Sequence, residues 1–164
     1  MNAKEFLNNS RRDIVALETL LTSIPAIAPE GGGDGEAKKA DALEAWLCEN
    51  GFVDGGLAGC TIERFEAPDT RVSAGVRPSL VVTIPGTDDS QRIWVMAHMD
   101  VVPVGDPKLW ETDPWTVIEK DGRIYGRGVE DNQQGLCSAV FAALYYIKNG
   151  IKPAHTVKLL FVAY

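Results

Sequence analysis

Apolar positions fall into two rhythms along this chain. Over residues 3 to 23 they recur at helical spacing, through Ile14, Leu17 and Leu20 or Leu21 towards Ile24, and Pro25 and Pro29 close that helix. The glycine-rich stretch Glu30 to Gly35 reads as a loop. A second helix is expected from about Glu36 to Asn50, with Ala40, Leu43 and Leu47 facing one way and Gly51 as its stop. The period then shortens. Thr61–Glu66, Leu80–Ile84 and Arg92–Ala97 are rich in Val, Ile and Thr and predict strands. Thr116–Glu119 and Arg123–Tyr125 flank Lys120-Asp121-Gly122, a hairpin signal. Residues 133 to 148 predict a helix that buries Ala139, Ala142, Ala143 and Ile147 and ends at Asn149-Gly150. The nearly continuous apolar run Thr156–Ala163 predicts a central strand buried on both faces.

Strands alternating with helices give an α/β fold, a mixed β-sheet flanked by helices. In such sheets ligands bind beyond the strand ends, so polar residues at those ends carry the candidate chemistry.

Composition narrows the classes. A chain of 164 residues, 45% hydrophobic and 24% charged, has the size and balance of one globular domain. The net charge of −7 argues against a nucleic acid or an anionic membrane as partner. No secretory signal or membrane-length apolar run is visible, which makes a cytoplasmic location the default expectation. Cys48, Cys60 and Cys137 are far apart and form no CxxC, so free thiols in a reducing compartment are expected.

Two motifs stand at element boundaries. Ala97-His98-Met99-Asp100 directly follows the strand Ile93–Met96. Side chains two apart on a strand share a face, so His98 and Asp100 are placed to act as a metal ligand and the carboxylate that orients it. A structural histidine beside an aspartate turn cap satisfies the same spacing. In Tyr125-Gly126-Arg127-Gly128-Val129-Glu130-Asp131-Asn132, two glycines lead Asp131 to a helix start. There it is either an ordinary N-cap or an ionised metal donor. Together the motifs favour an incomplete metal site, for which zinc accepts both donor types. Elsewhere, His155 reads as a turn residue and Arg77, before Pro78, as a strand-orienting one. Trp110, Pro114 and Trp115 are expected to pack their loop. Gly31 to Gly33 lack the context of a phosphate loop, and no GxSxG is present.

The string MAHMDVVPVGD, a following Trp, DPW and DGRIYGRGVEDNQQG resembles the co-catalytic dinuclear zinc peptidases: aminoacylase, succinyl-diaminopimelate desuccinylase, dipeptidases and glutamate carboxypeptidases. The resemblance covers roughly Leu17 to Tyr164. It implies that His98 binds one zinc, that Asp131 bridges two, and that Asp100 is the non-ligand carboxylate holding His98. It also implies a cis peptide after Asp131. The implied reaction is hydrolysis of an amide bond in a small peptide or N-acyl amino acid, at two zinc ions (or cobalt or manganese), with a glutamate as general base.

In that family an acidic pair follows the strand resembling Thr156–Tyr164, and further ligands and a small lid or dimerisation domain come later. The expectation is therefore that residues 1–164 are the N-terminal portion of a catalytic domain. Such a piece would bind zinc weakly, hydrolyse nothing alone, and self-associate through a bare sheet edge at Thr156–Tyr164. The alternative is a natural short binding or regulatory module of the same fold.

Overall fold

The computed structural model describes residues 1–53 and 59–163. Tyr164, the end of the predicted edge, lies outside them. Among the described residues, four α-helices, α1 (Ala3–Asn9), α2 (Arg11–Thr22), α3 (Ala37–Glu49) and α4 (Gln134–Asn149), accompany six strands. The strands are β1 (Thr61–Pro68), β2 (Val76–Ile84), β3 (Asp88–His98), β4 (Ile118–Lys120), β5 (Arg123–Tyr125) and β6 (His155–Val162).

The main sheet runs in the order β1-β2-β6-β3. β2 is antiparallel to both β1 and β6, whereas β3 runs parallel to β6. The sheet is thus mixed, as the pattern predicts. Its register puts Leu80, Val82, Leu159, Phe161 and Ala97 on one face. There they share a core with Leu17 and Leu21 of α2, Leu43 and Leu47 of α3, and Val140 and Phe141 of α4.

The predicted first helix is two. They meet at Ser10 (φ −88°, ψ 3°), whose N–H and hydroxyl both donate to the Phe6 carbonyl at 2.9 Å. In α4, Ala139, Ala143 and Ile147 are buried as expected, but Ala142 is exposed and belongs to the outer side. Gly150 ends α4 with φ 62°. The β4–β5 hairpin closes through Asp121 and Gly122, both at positive φ (53° and 72°), as a two-residue primed turn requires.

The last apolar run needs a larger correction. β6 is central in the sheet, but Lys158 and Leu160 point to the face opposite the core and are only half-buried. The edge strands are β1 and β3 instead, and on β3 Ile93, Trp94, Val95 and Met96 are all exposed, Met96 by 68%. A continuous apolar run reports that a strand is apolar on both faces; which neighbour covers each face is set by the rest of the fold.

Candidate metal centre

His98 is the last residue of β3, locked by the parallel ladder to β6 opposite Val162. Beyond it the backbone stays fixed: Met99 N–H donates to Val162 and Val101 N–H to the Ala26 carbonyl. Met99 and Val101 are buried, so the alternation drives His98 and Asp100 to the other side.

The second arm comes from the loop after β5. Gly128 has φ 83°, and a Cβ built there would stand 2.5 Å from Val101 Cγ1, so only glycine permits this close approach. Gln133 N–H donates back to the Gly128 carbonyl at 3.0 Å, closing the irregular turn Val129–Gln133. Within that turn Asp131 and Asn132 are non-helical and joined by a cis peptide, as the resemblance implies. Asp131 is not an N-cap. α4 begins at Gln134 with no side-chain cap, and the Asp131 side chain, 78% exposed, faces His98.

The two motifs therefore meet. His98 Nε2 lies 3.2 Å from Asp131 Oδ1. On the other side of the ring, Nδ1 lies 3.1 Å from the Asp100 carbonyl oxygen and 3.2 Å from the Asp100 carboxylate Oδ1. The carbonyl takes the hydrogen bond; among the described residues Oδ1 has no hydrogen-bond partner. The orienting group is thus the backbone of Asp100 first, and its carboxylate by proximity. Burial raises the Asp100 carboxyl above its ordinary range, opposed by the nearby His98 charge.

With its Nδ1 proton directed at Asp100, the ring in its neutral form presents an Nε2 lone pair to a carboxylate oxygen. Two acceptors at 3.2 Å repel unless a proton or a cation lies between them. Imidazole nitrogen and carboxylate oxygen on an accessible rim are a donor set that suits a divalent metal. Among the described residues no group of three or more His, Cys, Asp or Glu side chains gathers at one point, so this arrangement brings two donors.

A buried polar layer lies beneath. Lys39 of α3, 1% exposed, donates to Gln133 Oε1 at 2.9 Å. Gln133 Nε2 donates to Thr22 Oγ1 at 2.8 Å and to Glu18 Oε2 at 3.2 Å. Burial pushes the Glu18 carboxyl up to about 7, against hydrogen bonds from Gln133 and Cys137. Burial likewise brings Lys39 down to about 8, against the charges of Asp100, Glu18 and Glu36. Beside it Glu36, fully buried, is ion-paired with Arg77. None of Glu18, Lys39 or Gln133 stands out in the sequence reading. The signal that was available is a charged residue in register with an apolar stripe: Lys39 with Leu43 and Leu47, Glu18 with Leu21.

The remaining candidates fall outside the centre. His155 opens β6, its Nδ1 3.5 Å from Asp88 Oδ2. Trp110 donates to the Val104 carbonyl and carries the Arg127 guanidinium 5.1 Å from its ring centroid, which packs the loop as expected. An apolar hollow of about 460 Å³ between α1, α2 and α4 is lined by neither His98 nor Asp131.

Residues 94–163, which hold both motifs, match the model of peptidase family M20/M25/M40. The chain belongs to this family. It is 33% identical over 153 residues to an uncharacterized metallohydrolase of Methanocaldococcus jannaschii, covering 92% of this chain and 36% of that protein. It is 32% identical over 132 residues to a succinyl-diaminopimelate desuccinylase of Parvibaculum lavamentivorans, covering 80% of this chain and 29% of that one. The chain thus spans about a third of the length of these relatives. In fold it is similar to the dipeptidase Dug1p of Saccharomyces cerevisiae, with a TM-score of 0.75 at 18% identity over 98% of this chain and 33% of that one. That likeness carries the M20 catalytic-domain architecture, a mixed sheet with flanking helices.

Proposed function

We propose that this chain contributes His98 and Asp131 as donors to a divalent-metal centre, zinc first among the candidates. That centre hydrolyses an amide bond of a small peptide or an N-acyl amino acid. The observation that carries this reading is the meeting of His98 Nε2 and Asp131 Oδ1 at 3.2 Å, with the far side of the ring already held by Asp100. A bound metal supplies polarisation of the scissile carbonyl and a more acidic water. The residues of this chain do the positioning. Asp100 keeps the proton on Nδ1, so that Nε2 stays a donor, and the Gly128 turn brings the Asp131 carboxylate beside it.

With two donors gathered among the described residues, the chain alone binds zinc weakly and does not hydrolyse. The names of the relatives support a small acylated amino acid or a dipeptide as substrate class, and do not choose between them. The bare β3 edge supports self-association through that edge. The cysteines are free, which supports a reducing, cytoplasmic setting, and no helix of the described residues is long and apolar enough to cross a membrane.

Calorimetric titration of the metal-stripped chain with zinc tests the centre. The expected result is weak uptake that His98→Ala and Asp131→Ala each abolish. Uptake unchanged in either variant removes that residue from the centre, and two tightly held ions per chain overturn the assignment of two donors.

A further inference from the structure

The layer beneath the centre is costly in a way that ordinary packing does not require. Lys39 places an ammonium at 1% exposure, where an apolar side chain of similar length would fill the same space without desolvating a charge. What Lys39 does, and an apolar side chain would not, is hold Gln133. Lysine only donates, so its bond fixes the Gln133 amide with oxygen toward Lys39 and nitrogen toward Glu18 and Thr22. Gln133 is thereby anchored to both α3 and α2 through its side chain, and to Gly128 through its N–H. Asp131 lies two residues before it, inside the turn that these bonds close. The charges facing Lys39 come from three places: Glu18 on α2, Glu36 just before α3, and Asp100 beyond β3. The last of these adjoins the His98 ring, so one ammonium stands behind both arms of the centre.

We infer that Lys39 and Gln133 are a positioning pair for the metal centre: the strut they form from α3 to the Val129–Gln133 turn holds the Asp131 carboxylate opposite His98 Nε2. Neither residue is a ligand. The inference rests on the metal reading for its purpose but not for its geometry, so its test begins without metal.

The decisive variant is the double replacement Lys39→Met with Gln133→Leu. Either change alone leaves the other member of the pair without its partner; the double change replaces their contact with an apolar one, although Glu18 and Thr22 lose Gln133 in it. In the metal-free full chain, the ¹⁵N signals of the His98 ring report what faces Nε2, and Asp131→Ala gives the signal of a ring without its carboxylate. The expected result is a folded double variant whose His98 signal moves toward that of Asp131→Ala. Its zinc affinity falls by about ten-fold or more, the range found when groups that orient a metal's ligands are removed. A His98 signal that stays at its wild-type position while Asp131→Ala shifts it overturns the strut. If the double variant does not fold, Gln133→Met serves for the same readout, because it keeps side-chain length and leaves Lys39 facing Glu18 and Glu36. If the wild-type chain takes up no zinc while the ring signal still moves, the strut stands and the metal reading falls.

Discussion

The two arms of the centre are held by different means. His98 is positioned by backbone: a parallel ladder to β6, then Met99 and Val101 pinned to Val162 and Ala26. Asp131 is positioned by a glycine that alone fits against Val101 and by side chains reaching up from α2 and α3. An arm carried by the ladder tolerates exchange of most side chains around it, since every residue supplies the same N–H and C=O. An arm carried by side chains is specific to their identity. Substitutions should therefore be unequal across the site, severe under Asp131 and mild along β3.

Gly128→Val is the sharpest way to break the comparison. It forces a β-branched residue into φ 83° and into Val101. A loss of about 2–4 kcal/mol is expected, combining backbone strain and overpacking. Chemical denaturation measures it, and a loss under about 0.5 kcal/mol would mean that the turn relaxes freely. Next comes Asp100→Asn. With the backbone carbonyl still accepting from Nδ1, zinc affinity should fall about ten-fold, at the low end of such effects, and stability should hold. A loss nearer a hundred-fold would shift the orienting role from the carbonyl to the carboxylate.

A pH dependence should separate the buried layer from the rim. Glu18 is neutral more readily when folded, with its carboxyl raised from 4.5 to about 7. Between those values the folded state holds more protons than the unfolded one, so stability declines as pH rises from about 4.5 to 7. Lys39 acts in the opposite direction at higher pH. Its lowered value, about 8 against 10.5, makes stability rise with pH across that window. Glu18→Gln should flatten the acid-side decline, by roughly 1–3 kcal/mol, in thermal unfolding followed from pH 4.5 to 7. A decline that persists in that variant assigns it to another group. The mildest change is Met96→Lys on the bare strand, expected to alter stability by less than about 0.5 kcal/mol while reducing self-association in light scattering.

These differences also explain what could be read from the sequence. The strand before His98, the Asp121-Gly122 turn and the Gly150 stop are local: each depends on a residue type whose backbone preference acts in place. The meeting of His98 and Asp131 follows from two motifs at strand and helix ends, and the resemblance supplied their pairing. The split at Ser10 was not legible, because the apolar spacing continues through it and only the backbone angles of that one residue leave the helix. Asp131 as an N-cap was the natural expectation for an acid before a helix, and the irregular turn displaced that helix to Gln134. The bare edge was expected at β6 because further elements follow that strand in the family, whereas β2 and β3 flank it on both sides. Lys39 and Gln133 became meaningful only when α3 and the turn were brought together, 94 residues apart in sequence.

Trp94 sits in the middle of the bare strand, half exposed, with the Lys158 ammonium 5.4 Å from its ring centroid. An indole in that position is a built-in optical gauge. Its emission is that of a water-facing ring while the strand is open, and moves to shorter wavelength when something dry is laid over it. Whatever comes to rest on β3 thus shifts the contribution of one of the chain's four indoles, without a label.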